Sequence, residues 1–534
     1  MPSINYRLNT SQTSFPFIST MFGRSILQRN REDSNLPLGR PMSELNDDRD
    51  IGTPSIIYMH NVMPTAQGFS GVEYKIAQQS IGPVLDYRTI TGELGDKDIL
   101  FIQSGKIRIF SSGVMQPYQL VDLGLYSTVT TTKGKTAVFS TKHKKLYYYN
   151  QFLKILEEVT PNGLTMKDII GVTSLGTHLI LYSMDTLYRS SVYDLLEYTP
   201  SLNNAAGSDL ISAKTTDIIR IAETANGLLI YTKSECLQAA LTGEFAFPIQ
   251  YRLVENFDGI RNFYDVEDSV FPNIVSTPSG IFSVGKDVAP ALMDAYEFLS
   301  GNVLEEYVGD TGDKLVNAAQ EWFGPDTQLV SGTSGFLGLM QFRTKFPIKY
   351  AIKLIDYRYL CVSYGLGDSN SFQWIVFQDL HMKRWGKLRI PHTHVIQFTP
   401  SSLDTGIGLG IVTTNGTIVY PTSDCGDFEV GGCCADTDNS PIVIYARLES
   451  TRGSYITLES VTADFVTEPV VELQLLNSIN GHTWDAYSYP RLIASYRGHR
   501  KWASRLTGLG LGFILKGRFN LTTIQITANS GGVR

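Results

Sequence analysis

The chain is poor in cysteine and tryptophan and has no long apolar run. Its five cysteines, Cys236, Cys361, Cys425, Cys433 and Cys434, are too few and too unevenly spaced for a disulfide framework. A reducing origin is therefore expected. No stretch of 18 consecutive apolar residues occurs, so the sequence offers no membrane-spanning helix. The first residues lack the basic-then-apolar plan of a signal peptide. The expectation is a soluble chain, made and folded in a cytoplasm. Positive charge is not in excess either. A formal net charge of −7 argues against a surface that coats nucleic acid at large, while leaving local patches open.

Motifs that carry chemistry are equally scarce. Cys425, Cys433 and Cys434 have CxxxxxxxCC spacing with Asp424, Asp427 and Asp436 nearby, but a zinc site needs a second Cys or His pair. The strings GIGLGI (406–411) and GLGLGF (508–513) sit inside strand-like segments and open no helix, so close sheet packing explains them better than a phosphate loop. Asp310, Asp313, Glu305 and Glu306 lack the DxDxDG plan of a calcium loop, and Asp313 is placed to cap a helix. The repeated S-x-D-x-G-x-T-W box of sialidase-like propellers is missing. No residue is assigned a catalytic, cofactor or metal role, and the expectation is a protein without enzymatic activity.

Strands and turns dominate what is present. Apolar residues make up 43% and aromatics 11%, with 47 glycines, enough for a sizeable core built from strands and tight turns. At 534 residues the chain has room for two to four average domains, or one large all-β domain with additions. Residues 1–54 are mostly polar (RSILQRNREDSNLPLGRPMSELNDDRD) and read as an extended N-terminal arm. From 55 to 424 a pattern recurs in which an apolar strand, a Gly, Asn or Asp turn and a second strand follow one another. Examples are DILFIQSGKIRIFSSG (98–113), TAVFSTKHKKLYYYN (136–150), THLILYSMDTLYRSS (177–191) and GLLIYTKSECLQAALTG (227–243). Early copies are spaced by about 38 to 50 residues, which suits the four-stranded blades of a β-propeller of six to eight blades. A β-sandwich is the alternative, though it needs no such regularity. Residues 287–323 interrupt the pattern and predict two short amphipathic helices, a helical insertion between blades. Residues 425–441 read as a linker loop, and 442–534 as a C-terminal antiparallel β-sandwich.

Acidic residues end at Asp485, and the tail beyond carries the chain's most concentrated basic segment, YRGHRKWASRLTGLG (496–510). One reading is a basic loop paired with acidic neighbours. The sharper reading makes Arg497, Arg500, Lys501, Trp502 and Arg505 contacts to another subunit or partner, with a salt-sensitive association.

An opening Asn61, Pro64-Thr65, Gly68 segment is followed by LLIYTKSECLQAALTG and IQYRLVENFDGIRNFYDVEDSVFPNIVSTPSGIFSVG. The expected inserted helices, WIVFQDLHMKRWGKL and a closing S-x-x-G-x-x-W turn with its R-x-x-R-K-W-x-x-R run come after them. These parts, in this order, resemble the tail hub or nozzle proteins of short-tailed bacteriophages, the phage stabilisation family. The resemblance covers 55 to the C-terminus; residues 1–54 and the Cys425–Cys434 loop have no counterpart. It implies a homohexameric structural tube in the virion tail, below the adaptor ring under a dodecameric portal. That tube retains and then conducts the genome, and bears a distal needle, fibre or spike. An acidic lumen would let viral DNA slide without sequence-specific binding, with no stable membrane insertion. Within it, NVMPTAQGFSGVEYK is expected to lead into the first blade. The alternative reading is a carbohydrate-binding or receptor-recognition propeller using Trp374, Trp385 or Trp484. A third, a scaffold for protein partners, is opposed by the lack of a WD or Kelch signature.

Overall fold

In a computed structural model of the chain, residues 3–9 and most of 55–290, 348–422 and 443–530 are described. The expected inserted helices fall almost entirely outside these residues, as do most of residues 1–54, the 425–441 loop and Arg497. Where the expected insertion begins, Val288–Pro290 is instead a strand paired with Gly280–Val284. Alternation in the preceding hairpin simply continues one strand further.

The described strands form an all-β protein built on a β-propeller. Four sheets of four antiparallel strands follow one another, each laid down in chain order. Blade one starts at Asp86–Thr91, blade two at Thr128–Thr132, blade three at Gly171–Leu175 and blade four at Arg220–Thr224. Blade five shows three strands, from Asn273–Thr277 to Val288–Pro290. Blade six runs from Ile348–Ile355 through Tyr359–Leu366 and Phe372–Asp379 to Arg384–Gln397. That last strand is 14 residues long and serves twice. Its first part pairs with Phe372–Asp379, and after a bulge at His392 its second part becomes the inner strand of blade seven, paired with Leu409–Thr413. Blade seven continues with Ile418–Thr422 and is completed by Glu73–Gln78 from the far end of the chain. Among the described residues the ring therefore has seven blades.

Second strands of the blades carry apolar runs, such as residues 99–102 and 179–182, because neighbours cover both of their faces. His178–Tyr182 and Leu409–Thr413 are buried at every position. The core is consequently a ring of clusters between adjacent blades. Ile180, Tyr182 and Leu187 of blade three meet Ile221, Leu228 and Ile230 of blade four. Phe101 and Phe110 of blade one meet Ile396, Phe398 and Val412 of blade seven. Each such side chain contributes about 1.5–3 kcal/mol on burial. Tight turns keep the strands in register. Lys133 and Gly134 both take positive φ (48° and 73°), the two-residue turn whose twist matches a hairpin.

Strands after residue 442 form two antiparallel sheets. One joins Val443–Glu449, Gly510–Arg518, Val470–Ser478 and Asp485–Tyr489. The other joins Asn520–Ser530, Ile456–Phe465 and His499–Gly508, with Ser3–Asn9 on its flank. Each buries one alternating apolar face, with Leu511, Phe513 and Leu515 in the first and Ile456, Leu458 and Val461 in the second. Ser3–Asn9, read from sequence as part of the arm, is thus a sheet strand.

Residues 55–78 stitch the two parts together. Ser55–His60 pairs with Val443–Glu449. Val62 sits opposite Lys387 of blade six, and Phe69 and Ser70 sit opposite Leu521 and Asn520. Glu73–Gln78 then closes blade seven. Blades six and seven, this seam and one C-terminal sheet make a single 14-stranded sheet. The NVMPTAQGFSGVEYK segment is therefore a seam and not a lead-in to blade one, with residues 55–60 and 69–70 paired to C-terminal strands and Val62 to blade six. Asn61 is its pivot. It is buried, adopts φ 51°, and its Oδ1 accepts the Arg389 backbone N–H at 2.9 Å. Short polar side chains tolerate this left-handed backbone better than most.

Two outcomes follow from this geometry. Asn61→Ala should lower stability by about 1–3 kcal/mol in urea unfolding, because a buried donor loses its acceptor and Ala resists positive φ; an unchanged midpoint contradicts the pivot role. His392, at the corner between blades six and seven, donates through Nδ1 to the Ile390 carbonyl and accepts at Nε2 from the Ser363 hydroxyl, at 2.7 and 2.8 Å. Burial pulls its pKa from 6.5 down to about 4. The unfolded chain then binds a proton that the folded one does not between those values, so stability falls as pH drops from about 6.5 to about 4 and is flat above. Relative to His392→Gln, wild type should lose about 3 kcal/mol over that window, at 1.36 kcal/mol per unit. Parallel curves would contradict this.

Candidate functional site at the propeller axis

The inner strand of a blade faces its neighbours on two sides and the ring axis with its edge, so charged residues there are conspicuous. Asp86 and Arg88, two apart in blade one, lie on the same face and are both buried. Their side chains form a bidentate pair at 2.7 and 2.9 Å, and Arg88 Nε also donates to the Ser127 carbonyl at 2.6 Å. Burial opposes ionisation of Asp86, but the Arg88 guanidinium outweighs it and holds the carboxyl below its usual range.

The link between blades four and five crosses the axis. Its one-turn 3-10 helix, Phe263–Asp265, is clamped by reciprocal capping: the Tyr264 N–H donates to Asn262 Oδ1, and the Asn262 N–H donates to Asp265 Oδ2. Phe263 is buried between two cations, with Arg220 at 4.3 Å and Arg88 at 5.3 Å from its ring centroid. Arg220 Nη1 also donates to the Phe263 and Val266 carbonyls at 2.8 and 2.6 Å. Burial, then the charge of Arg88, pulls the Arg220 pKa down to about 10. Tyr264 donates its hydroxyl to Asp86 at 3.0 Å, reaching blade one. These contacts close the floor of the axis.

A second buried ion pair joins Lys353 of blade six to Glu267 of the same link, at 2.8 Å. Burial works against the Lys353 ammonium, yet Glu267 and Tyr87 hold its pKa above the usual lysine value. Tyr87 in turn donates to the Val395 carbonyl of blade seven at 2.7 Å. Glu223 of blade four accepts from Thr130 of blade two and from Thr173 and the Ser174 N–H and hydroxyl of blade three. Charge-assisted bonds of this kind are about twice as strong as neutral ones. Above the floor remains a cavity of about 370 Å³.

The chemistry of this arrangement is retention. Its carboxylates are bound by cations or several donors, and no group of three or more His, Cys, Asp or Glu side chains among the described residues is placed to hold a metal. Cys236 and Cys361 are buried thiols whose pKa burial drives upward, away from the reactive thiolate. No described helix is long and apolar enough to cross a membrane.

Of the contact residues expected from sequence, Arg500, Lys501, Trp502 and Arg505 share the strand His499–Gly508. The period-two alternation of that strand divides them. Lys501 and Arg505 are exposed, whereas Arg500 and Trp502 face inward and are buried, so the latter two are not surface contacts of the chain. His499 meets Asp464 at 2.5 Å. In the glycine string 406–411, a Cβ at Gly410 would lie 2.6 Å from Phe398 Cβ, which explains that glycine by packing. The side chains of Trp374, Trp385 and Trp484 lie outside the description. Sequence reading missed the axis altogether. Its signal was Asp86-x-Arg88, Arg220 and Glu223 standing in otherwise β-forming first strands, but their partners come from other blades.

No family model matches the chain, and no curated protein does. Solved structures similar to it include the extracellular domain of a hybrid two-component system from B. thetaiotaomicron, at 13% identity and TM-score 0.26. That match covers 36% of this chain and spans only 25% of the other. Others are the YCF48 protein bound to D1 peptide and the WD40 repeats of RRP9, at 9% and 8% identity. Each covers 66% of this chain and 97% of the other, with TM-scores of 0.35 and 0.34. Overlap at this level says nothing of activity or partners, and the propeller rests on the strand pairings themselves.

The Lys353–Glu267 pair yields a sharp expectation. Lys353→Met alone should cost about 3–5 kcal/mol, because it strands a buried carboxylate. Combining it with Glu267→Leu should recover most of that loss in chemical denaturation. A double variant as unstable as the sum of the singles would show that the pair is not coupled.

Proposed function

We propose that the chain is a structural virion protein, the tail hub or nozzle subunit of a short-tailed bacteriophage, six copies of which form the tube beneath the portal and its adaptor ring. The observation that carries this reading is the seam, in which residues 55–78 pair in turn with the C-terminal sheets, blade six and blade seven. A wall that retains a packaged genome has to resist shear between its parts. Backbone pairing across the joint supports that, where a free linker would not. The order of motifs from Asn61 to the closing basic run adds to it.

Closure of the propeller axis by Phe263 bears on where DNA passes. In this reading the duct runs between subunits, not through a propeller, and the net charge of −7 lets phosphates slide past. Lys501 and Arg505, exposed on one strand face, suit the joint to a neighbouring acidic surface. The distal needle, fibre or spike and the adaptor ring are the other partners of the reading.

Particle composition tests it. Tails stripped from virions that carry this chain should hold one copy for every two portal subunits, and absence from the particle would sink the reading. Within such tails, Lys501→Glu with Arg505→Glu should impair incorporation at least tenfold and leave folding intact. Unimpaired incorporation would remove these two residues from the joint.

A further inference from the structure

One strand of the C-terminal sheets reaches its place from far away in the chain. Ser3–Asn9 lies along Asn520–Ser530, from Ser3 opposite Asn529 to Asn9 opposite Thr523. This register continues rows that are buried deeper in the sheet. Tyr6 stands opposite Ile526, which stands opposite buried Val461, itself opposite buried Trp502. Leu8 extends the row of Ile524 and buried Ala463, and Ile4 that of Ala528 and buried Leu458. A slip of one residue would bring Ser3, Asn5 and Arg7 into these rows, so the pairing is specific to one register. Without this strand, the edge of Asn520–Ser530 would present unpaired backbone groups.

The connection is much longer than the pairing requires. Thr523 is opposite Asn9, Gly512 is opposite Arg447, and Arg447 is opposite Ser55. Following these pairs and the chain between Gly512 and Thr523, the gap from Asn9 to Ser55 is at most ~55 Å. Residues 10–54, which join the two, can span ~150 Å when extended. That reach exceeds the ~60 Å width of a compact chain of this length.

We propose that, where copies of this chain stand side by side, Ser3–Asn9 crosses to Asn520–Ser530 of the next copy, so that each C-terminal sheet is completed by its neighbour. Exchange keeps every backbone bond of the pairing, and adjacent copies present the acceptor edge at high local concentration. It ties the subunits together by a ladder of backbone bonds in addition to surface charge. The inference rests on the tail reading, which is what sets copies side by side.

Tails assembled from an equal mixture of two single variants of the full chain, Arg7→Cys and Gln525→Cys, test it. The two positions are opposite each other, in the row that includes exposed Lys501. Opposed strand positions lie within disulfide range. Mild oxidation should link one variant to the other in about half of the copies, the limit for neighbours mixed at random, while neither variant alone links. A chain carrying both substitutions should give covalent multimers. Tails that contain the chain but show no link between the two variants would overturn the exchange and leave the tail reading standing. So would a double variant linked only within itself. Absence of the chain from tails would end both.

Discussion

Everything in this molecule depends on one strand pair, Glu73–Gln78 against Ile418–Thr422. A propeller is a ring, and a ring made from a linear chain needs a clasp. Here the first propeller strand is the outermost strand of the last blade, so the clasp is made of backbone hydrogen bonds and is backed by apolar packing. Met63, Val72 and Tyr74 join Leu388, Ile390, Leu409 and Val419 in one buried cluster. The fit is close at the turn that follows. Gly416 has φ 81°, and a Cβ there would overlap the Gly82 carbonyl oxygen. Closing a loop of this length costs entropy, but slowly with length, so a few buried residues suffice to offset it. Such non-local pairing also makes folding slow.

The same short segment couples the ring to the C-terminal sheets. Before it reaches the clasp, the chain has already paired with strand Val443–Glu449 and with Leu521. The C-terminal strands therefore hold the segment that holds the ring. The axis adds a second, polar level of cohesion. The many-bonded Glu223 connects the inner strands of blades two, three and four, while Asp86, through Tyr264, and Lys353, through Glu267, tie blades one and six to the link between blades four and five. Buried ion pairs add little net stability, but one left half-made is expensive, so such a network penalises wrong blade arrangements.

How much of this was legible depended on distance along the chain. Hairpins were, because their signals are local. DILFIQSGKIRIFSSG holds the strand ending at Gln103, but for its first residue, and the strand Lys106–Ser111, and TAVFSTKHKKLYYYN holds those ending at Ser140 and Asn150. Apolar runs bounded by Gly, Asn or charged turns follow directly from burial on both faces. The seam was not legible: Asn61 looked like a turn cap, and its partner Arg389 lies 328 residues away. The axis was hidden for the same reason, since Glu267 and Lys353 meet only once the ring is closed. Burial of Arg500 and Trp502 was readable in principle. They alternate with Lys501 and Arg505 along one strand, but the concentration of charge drew the eye more than the period did.

The central claim is that propeller and C-terminal sheets are one cooperative body joined by residues 55–78. Native-state hydrogen exchange tests it most directly, following amides of Glu73–Gln78, Leu409–Thr413 and Gly510–Arg518 across sub-denaturing urea. The account predicts that the protected amides of all three merge into one opening with a shared free energy and urea dependence. Opening of Gly510–Arg518 at clearly lower free energy, with the propeller strands still protected, would contradict it.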